Sequence, residues 1–415
     1  MKNLIVQKYG GTSVGSLDRI KAVAGKIAEL QRTGKNIVVV VSAMAGETDK
    51  LLGLAEQLVD KPERREIDLL LSSGERISCA LLSMALHALG CPAEAMTGRQ
   101  IGMRTDDAHT RARIIHIDTS KAVKKIKQNK VLVVAGFQGI NEEGDVTTLG
   151  RGGSDTSAVA LAVALKASQC EILTDVDGVF TADPNIVPNA RKLDTVSFDE
   201  MLEMASLGAK VLQIRCVEFA KKYNMPLLVK SSFDNKSKGT LICEENKDME
   251  QPLVSGVMRD DKQAKITVKG VIDKPGIASE IFSALAKAGL SVDMIIQNIS
   301  EEGHADISFT LASGDCDEAI AIMEKISKKI GIQKIIADRK ISKISIVGAG
   351  MRSHAGVAAK MFKTLSAEKV NIMMISTSEI KVSCIIEKKQ SKLAVQKLHS
   401  AFKLDKKPRK AAKKS

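Results

Sequence analysis

The chain has 415 residues, too many for one hydrophobic core, so two or three domains are expected. Hydrophobic residues make up 44% and aromatics only 3%, without tryptophan, so the cores must be aliphatic and the stacking platforms of single-stranded nucleic-acid binders are lacking. The net charge of +13 invites a polyanion, but Lys403–Ser415, with seven basic residues and one acid, supplies nearly half of it and reads as a solvated, disordered tail.

In chain order, "LIVQKYGG" reads as a short strand ending in glycines and "SLDRIKAVAGKIAELQRTGK" as an amphipathic helix. "NIVVVVSA" is a strand covered on both faces, because its β-branched run is continuous. "ERISCALLSMALHALG" is a helix stopped by Gly90, "KVLVVAGFQG" a second buried strand, and "SDTSAVALAVALKA" a buried helix. "CEILTDVDGV" is a strand and loop, "FDEMLEMASLGAKVLQIRCVEFAKKYN" is helical, and "PLLVKSSF" is a last strand. This alternation predicts an α/β domain over residues 1–245, an open, mainly parallel sheet with helices on both faces.

Near Asn246 the pattern turns polar, and beyond it lies an internal repeat. "GIASEIFSAL" (Gly276–Leu285) matches "GVAAKMFKTL" (Gly356–Leu365), and at the same spacing Leu290, Val292 and Ile295 match Val370, Ile372 and Ile375. Each unit reads strand, helix, strand, strand, helix. The first, 264–337, adds the strand "IQKIIAD"; the second, 338–402, lacks a fourth strand. "LVSGVM" (Leu253–Met258), in the linker segment 246–263, is expected to complete it, so the two α+β units interleave.

Seven scattered cysteines form no CxxC pair, and no leader-like or membrane-length apolar run is read, so reduced thiols in cytosol are expected.

Candidate chemistry falls on strand-end loops, where an open parallel sheet forms its crevice. Lys8 precedes Gly10 and Gly11, whose backbone can approach an anion; an edge lysine beside a tight turn is the plainer alternative. In "LGRGGSD", Gly152 and Gly153 precede a helix start capped by Ser154 or Asp155, and Arg151 offers a two-pronged fork to a carboxylate or phosphate. Asp155 either caps that helix or orients cationic groups around a phosphoryl. Thr174–Pro184 is a polar turn or a nucleotide loop whose carboxylates accept ribose or adenine donors or hold Mg²⁺ through water. Glu75 is expected in the first turn of a helix, serving its dipole or holding a substrate ammonium. Ser42 sits at another strand end, with Thr48 in the same loop.

Together "VQKYGGTSVGS", "SSGERIS", "VAGFQG", "TTLGRGGSDTSA", "TDVDGVFTADP" and "GAKVL" resemble the aspartate kinases of the amino acid kinase superfamily, in order, and the likeness continues through two ACT (ferredoxin-like) units to about Phe402. It is closest to bacterial monofunctional enzymes, with no homoserine dehydrogenase part expected. The resemblance implies phosphoryl transfer from MgATP to the β-carboxylate of L-aspartate, giving 4-phospho-L-aspartate, with no protein metal site beyond the nucleotide's Mg²⁺. It implies that Lys8 stabilises the transferring phosphoryl and Asp155 organises the lysines. Lys8, Tyr9, Gly10, Gly11, Ser154, Thr174, Asp175, Phe180, Asp183, Pro184 and Lys210 would bind the nucleotide. Glu75 and Arg151 would hold aspartate, with Ser42, Thr48, Gly152, Gly153 and Ser154 assisting. It also implies feedback inhibition by lysine, threonine or both. Asp273, Gly276, Ala278, Gln297 and Asn298 of the first ACT unit, with Asn371, Ile372, Thr377 and Glu379 of the second, would form effector sites. Gln297 and Asn298 are expected after the second strand of their unit. Ala355 stands where similar enzymes often carry proline. A homodimer or higher oligomer through ACT units is implied, with a short ACT-only subunit from Met249 or Met258 as a further expectation. Rival readings are another amino acid kinase, a silent amino acid sensor, and a polyanion binder acting through the tail; a membrane partner is not expected.

Overall fold

A computed structural model describes residues 3–208, 211–234, 236–245, 253–299, 303–354 and 356–406. The chain divides into two compact units. One holds residues up to 179, 192–206 and 211–245; the other holds 180–191, 207–208 and the described residues from 253 onward.

The first unit contains β1 (Leu4–Tyr9), α1 (Leu17–Arg32), β2 (Asn36–Val41), α2 (Glu47–Leu58), α3 (Arg64–Ala88), β3 (Ala93–Met96), β4 (Met103–Thr105) and β5 (Ile114–Ile117). Then come α4 (Ser120–Lys127), β6 (Val131–Ala135), β7 (Gln138–Ile140), β8 (Val146–Thr148), α5 (Gly153–Ala164) and β9 (Gln169–Thr174). Residues 192–245 add β10 (Thr195–Ser197), α6 (Phe198–Ser206), α7 (Ile214–Lys222), β11 (Leu227–Ser231) and β12 (Thr240–Cys243). Eight strands form one sheet in the order β10-β12-β11-β9-β1-β2-β6-β3, parallel except for the β11/β12 pair. Val38–Val41 and Leu132–Val134 have no exposed surface, as expected for strands covered on both faces. Each such side chain contributes about 1.5–3 kcal/mol through burial.

Three sequence expectations change here. The "KVLVVAGFQG" strand breaks at Gly136 into β6 and β7, and β7 joins a second sheet, β5-β4-β7-β8, that the sequence did not announce. The helix expected from Glu75 begins at Arg64, so Glu75 lies mid-helix. Gly74 does not break α3: a Cβ there would stand 2.8 Å from Ala43 Cβ, so the glycine permits close approach to the chain after β2. This helix is also long and apolar enough to span a membrane by length and composition, but half of that stretch is buried, including Leu82 and Leu86.

The second unit contains β13 (Gly256–Asp260), β14 (Gln263–Ile272), α8 (Ile277–Lys287), β15 (Val292–Ile299), β16 (His304–Ala312), α9 (Cys316–Ile330) and β17 (Lys334–Asp338). It ends with β18 (Ile341–Val347), α10 (Val357–Ala367), β19 (Met374–Thr377), β20 (Lys381–Glu387) and α11 (Ser391–Ala401). Its two sheets run β15-β16-β14-β17 and β13-β18-β20-β19. The fourth strand of the second α+β unit is β13, antiparallel to β18, so the chain supplies it before the first unit begins. Gln297 and Asn298 lie within edge strand β15, not after it.

Two features of this unit depart from the expected boundaries. Ala182, Ile186 and Val187, from the stretch read as a nucleotide loop, are buried in the core of the second α+β unit with Val357, Met361 and Leu398. Leu404 packs into the same core, so the folded part runs past Phe402. Residues 407–415, and so most of the basic tail, lie outside the described residues, as do Met249 and Ala355.

Candidate active site

The ends of β1, β2, β6 and β9 are laced by backbone bonds. Gly10 N donates to Leu173 O (3.2 Å), Ser42 N to Tyr9 O (3.1 Å) and Gly136 N to Val41 O (3.0 Å). At this edge Lys8 projects toward α5. Its Nζ lies 2.6 Å from Asp155 Oδ1, with both side chains only about a tenth exposed (12% and 11%). The contact is a charge pair rather than an aligned hydrogen bond, since Oδ1 meets no donor at hydrogen-bonding angles among the described residues. Tyr9 faces the other way. It is buried in the core beneath α1 and α3, so only its backbone reaches the strand end.

Glycines hold the surrounding chain close. A Cβ on Gly10 would lie 3.5 Å from Lys8 Nζ, one on Gly11 would meet Ala43 O at 2.8 Å, and one on Gly136 would meet Ser154 Cβ at 2.9 Å. Gly150 and Gly152 both take positive φ, at 76° and 68°. Gly152 is the N-cap of α5, with no side-chain cap, and a Cβ there would lie 2.0 Å from Gln213 Cγ. Ser154 and Asp155 therefore sit inside the first turn rather than capping it. Asp155 is spent on Lys8.

Glu75 is 4% exposed. Its Oε1 accepts from Ala43 N at 3.0 Å, while Oε2 is buried with no partner among the described residues. Burial pushes the carboxyl up to about 7, and the Ala43 N–H bond pulls the other way. A buried acceptor left open costs free energy unless a donor arrives. Ser42 is half-buried beside it, and Thr48 falls in the first turn of α2 rather than in the loop. Arg151 is exposed, and no partner for its guanidinium is present among the described residues.

The expected nucleotide loop is divided. Thr174, at the end of β9, donates from Oγ1 to Asp175 Oδ1 (3.1 Å) within the first unit. Phe180, Asp183 and Pro184 belong to the second unit, where Asp183 Oδ1 accepts from Asn185 N (2.9 Å) and Asn185 Nδ2 (3.0 Å). Lys210 lies outside the described residues. Among the described residues, no group of three or more His, Cys, Asp or Glu is arranged to hold a metal.

The sequence reading passed over Asp68, His109, Thr148 and Arg215. Asp68 is fully buried in α3. Its carboxylate accepts from His109 Nδ1 (2.7 Å), from Thr110 N (3.0 Å) and, very closely, from Thr148 Oγ1. Arg215, in α7, donates from Nη1 to Leu149 O (2.8 Å) and from Nη2 to Ala112 O (2.7 Å).

Residues 3–231 match the amino acid kinase family, and residues 265–331 and 344–402 each match an ACT domain. An aspartokinase of Pseudomonas aeruginosa PAO1 is 54% identical over 404 residues, spanning 97% of this chain and 98% of its own. The chain belongs to the aspartokinase family. An aspartokinase of Mycobacterium tuberculosis H37Rv is 48% identical over 404 residues, 96% of each chain. Among solved structures, E. coli aspartokinase III in complex with aspartate and ADP is similar with a TM-score of 0.80 at 26% identity, over 96% of this chain and 99% of that one. The same enzyme in complex with lysine and aspartate gives 0.77 at 27%, over 97% and 100%. This aspartokinase-family chain is thus a kinase, with an amino acid kinase fold followed by two ACT domains.

Proposed function

We propose that the chain transfers the γ-phosphoryl of MgATP to the β-carboxylate of L-aspartate, giving 4-phospho-L-aspartate and ADP. The observation that carries this is the unpartnered, buried Oε2 of Glu75. An α-ammonium supplies the missing donor and the charge that draws Glu75 to its ionised form. Arg151 takes a carboxylate of the same substrate. Lys8, held by Asp155, lies where the two anions meet.

The β-carboxylate is already ionised at pH 7, so the step needs no general base. Its oxygen attacks the γ-phosphorus, the bond to the bridging oxygen breaks, and ADP leaves with the electron pair. Positioning and cationic stabilisation carry the effect. A Mg²⁺ ion arriving on the triphosphate would keep several waters and need few protein ligands, and Asp155, whose Oδ1 has no aligned donor among the described residues, is the carboxylate that would stand nearest to it. Bound, it neutralises phosphate charge. With Lys8, Gly10, Gly11 and Ser154, Thr174 and Asp175 are residues of the kinase unit that would meet the nucleotide.

Lysine, threonine or both are the proposed effectors at the ACT units. Asp273 precedes α8, whose N-cap Gly276 takes φ 101° and leaves amide donors at a helix start. Edge strands β15 and β19 carry Ile295 and Ile375, matched in the repeat and 49% and 42% exposed, which suits association of ACT units through those edges. E. coli aspartokinase III binds lysine and aspartate in its own complex. ADP release from MgATP with L-aspartate, with and without lysine and threonine, tests both halves. Release that L-glutamate or UMP elicits and aspartate does not would reassign the substrate. Aspartate-dependent release that neither amino acid suppresses would reject these effectors.

A further inference from the structure

Arg151 has an exposed side chain on a backbone that is held from every side. Thr148 Oγ1 donates to Asp68, and Thr148 O accepts from Ala112 N (2.9 Å). Leu149 N donates to Phe137 O (2.9 Å), and Leu149 O accepts from Arg215. Gly150 is held by its positive φ and stands tight against Thr110 O, which a Cβ would meet at 3.1 Å, and Gly152 is hemmed in by Gln213. Arg151 is therefore the first side chain in this run that is free to reach for a ligand.

Asp68 lies seven residues before Glu75 on one helix, two turns and about 10 Å away on the same face. A single rigid element thus refers the ammonium receptor and the arginine loop to one another. Burying a carboxylate costs several kcal/mol unless it is fully bonded, and a hydrophobic residue of similar size would fill the space more cheaply. Here the carboxylate is bonded by His109 Nδ1, Thr110 N and Thr148 Oγ1, and Thr148 is the partner that leads into the Arg151 loop.

We propose that Asp68 and Arg215 are positioning residues for aspartate, fixing the Thr148–Gly150 approach so that Arg151 and the amides at the start of α5 meet the substrate in register with Glu75. This rests on the reading of the loop as the aspartate site.

The test compares Thr148→Val with Thr148→Ser, and Arg215→Met with Arg215→Lys, in the full chain. Steady-state kinetics are read together with hydrogen–deuterium exchange of amides 150–153. Thr148→Val is nearly isosteric and guards against a variant that fails to fold. Thr148→Val and Arg215→Met are each expected to raise KM for aspartate about tenfold, since small misplacements of this kind carry such penalties. KM for MgATP should stay within about twofold, because the lost binding concerns one substrate only. Thr148→Ser should restore the parent values, and exchange should quicken only in the two disruptive variants. Unchanged exchange in both would overturn the brace whatever the activity. Faster exchange with aspartate KM unmoved, or with both KM values raised alike, would overturn the positioning role. A folded parent chain that turns over no aspartate would instead overturn the functional reading, and this role with it.

Discussion

If Glu75 receives the substrate ammonium, aspartate affinity must depend on its ionisation. Burial sets its carboxyl at about 7 in the free protein. Only the carboxylate pairs productively with an ammonium, so apparent affinity scales with the ionised fraction. For a pKa of 7 that fraction is about one eleventh at pH 6 and about ten elevenths at pH 8. KM for aspartate should therefore fall about tenfold across that range, with the bend near 7. The same linkage makes aspartate binding at pH 7 release about half a proton, visible in calorimetry as a heat that changes with the buffer's ionisation enthalpy. Glu75→Gln keeps an acceptor for Ala43 N but cannot ionise. It should raise KM on the order of 10- to 150-fold, the worth of a hydrogen bond to a charged group, and flatten the pH profile. The assay is coupled ADP release at saturating MgATP between pH 6 and 8. A flat parent profile, or an unchanged slope in Glu75→Gln, would refute the reasoning. The sign for stability also follows. A carboxyl raised in the folded state favours folding at low pH, and that contribution is lost as pH rises through about 7.

Other outcomes follow from the same geometry. Lys8→Met should cut kcat by on the order of 10²- to 10³-fold while the chain stays folded by circular dichroism, since it removes a cation aimed at developing charge; a kcat within a few-fold of the parent would move the phosphoryl site elsewhere. Gly152→Ala meets both a positive φ and Gln213, so it should destabilise the kinase unit by at least about 1–2 kcal/mol in urea melts. In the second unit, Thr181 Oγ1 accepts from Arg191 N (2.9 Å) and shares a hydrogen bond with His399 Nε2 (2.9 Å) whose direction is set by the ring tautomer. Thr181→Val should cost about 1–3 kcal/mol there. Burial first of all, and then Arg191, hold His399 below its ordinary value, with Asp405 opposing. The unfolded chain therefore binds the proton more readily, and this contribution to stability should fall as pH drops below about 6.5; a stability difference between the parent and His399→Gln that does not change with pH would contradict this.

Much of this arrangement was legible in the residues. Lys8, Arg151 and Asp155 stand out because glycines beside them allow close backbone approach, and strand-end positions follow from the alternating pattern. The interleaved strand β13 was legible because one repeat lacked what the other had. Glu75 was singled out as a candidate, but its helix was started eleven residues late, since the helix interior holds Gly74, whose reason is Ala43, some thirty positions away. β4, β5, β7 and β8 have three or four residues each, too few for periodicity to declare them. Asp68, His109 and Arg215 carry no local signature. Their partners lie 40 to 80 positions away for Asp68, and only the fold introduces them.

The segment 180–191 has a consequence for how this chain can be cut. It leaves the kinase sequence, lends Ala182, Ile186 and Val187 to the last ACT core, and returns. The catalytic portion expressed alone would carry an apolar flap with nothing to bury it. A fragment beginning at Met258 would lack the flap and, with it, Val254 and Val257 of the same core. A single cut after the kinase sequence therefore leaves apolar surface uncovered on both fragments, and mixing them should cover it again.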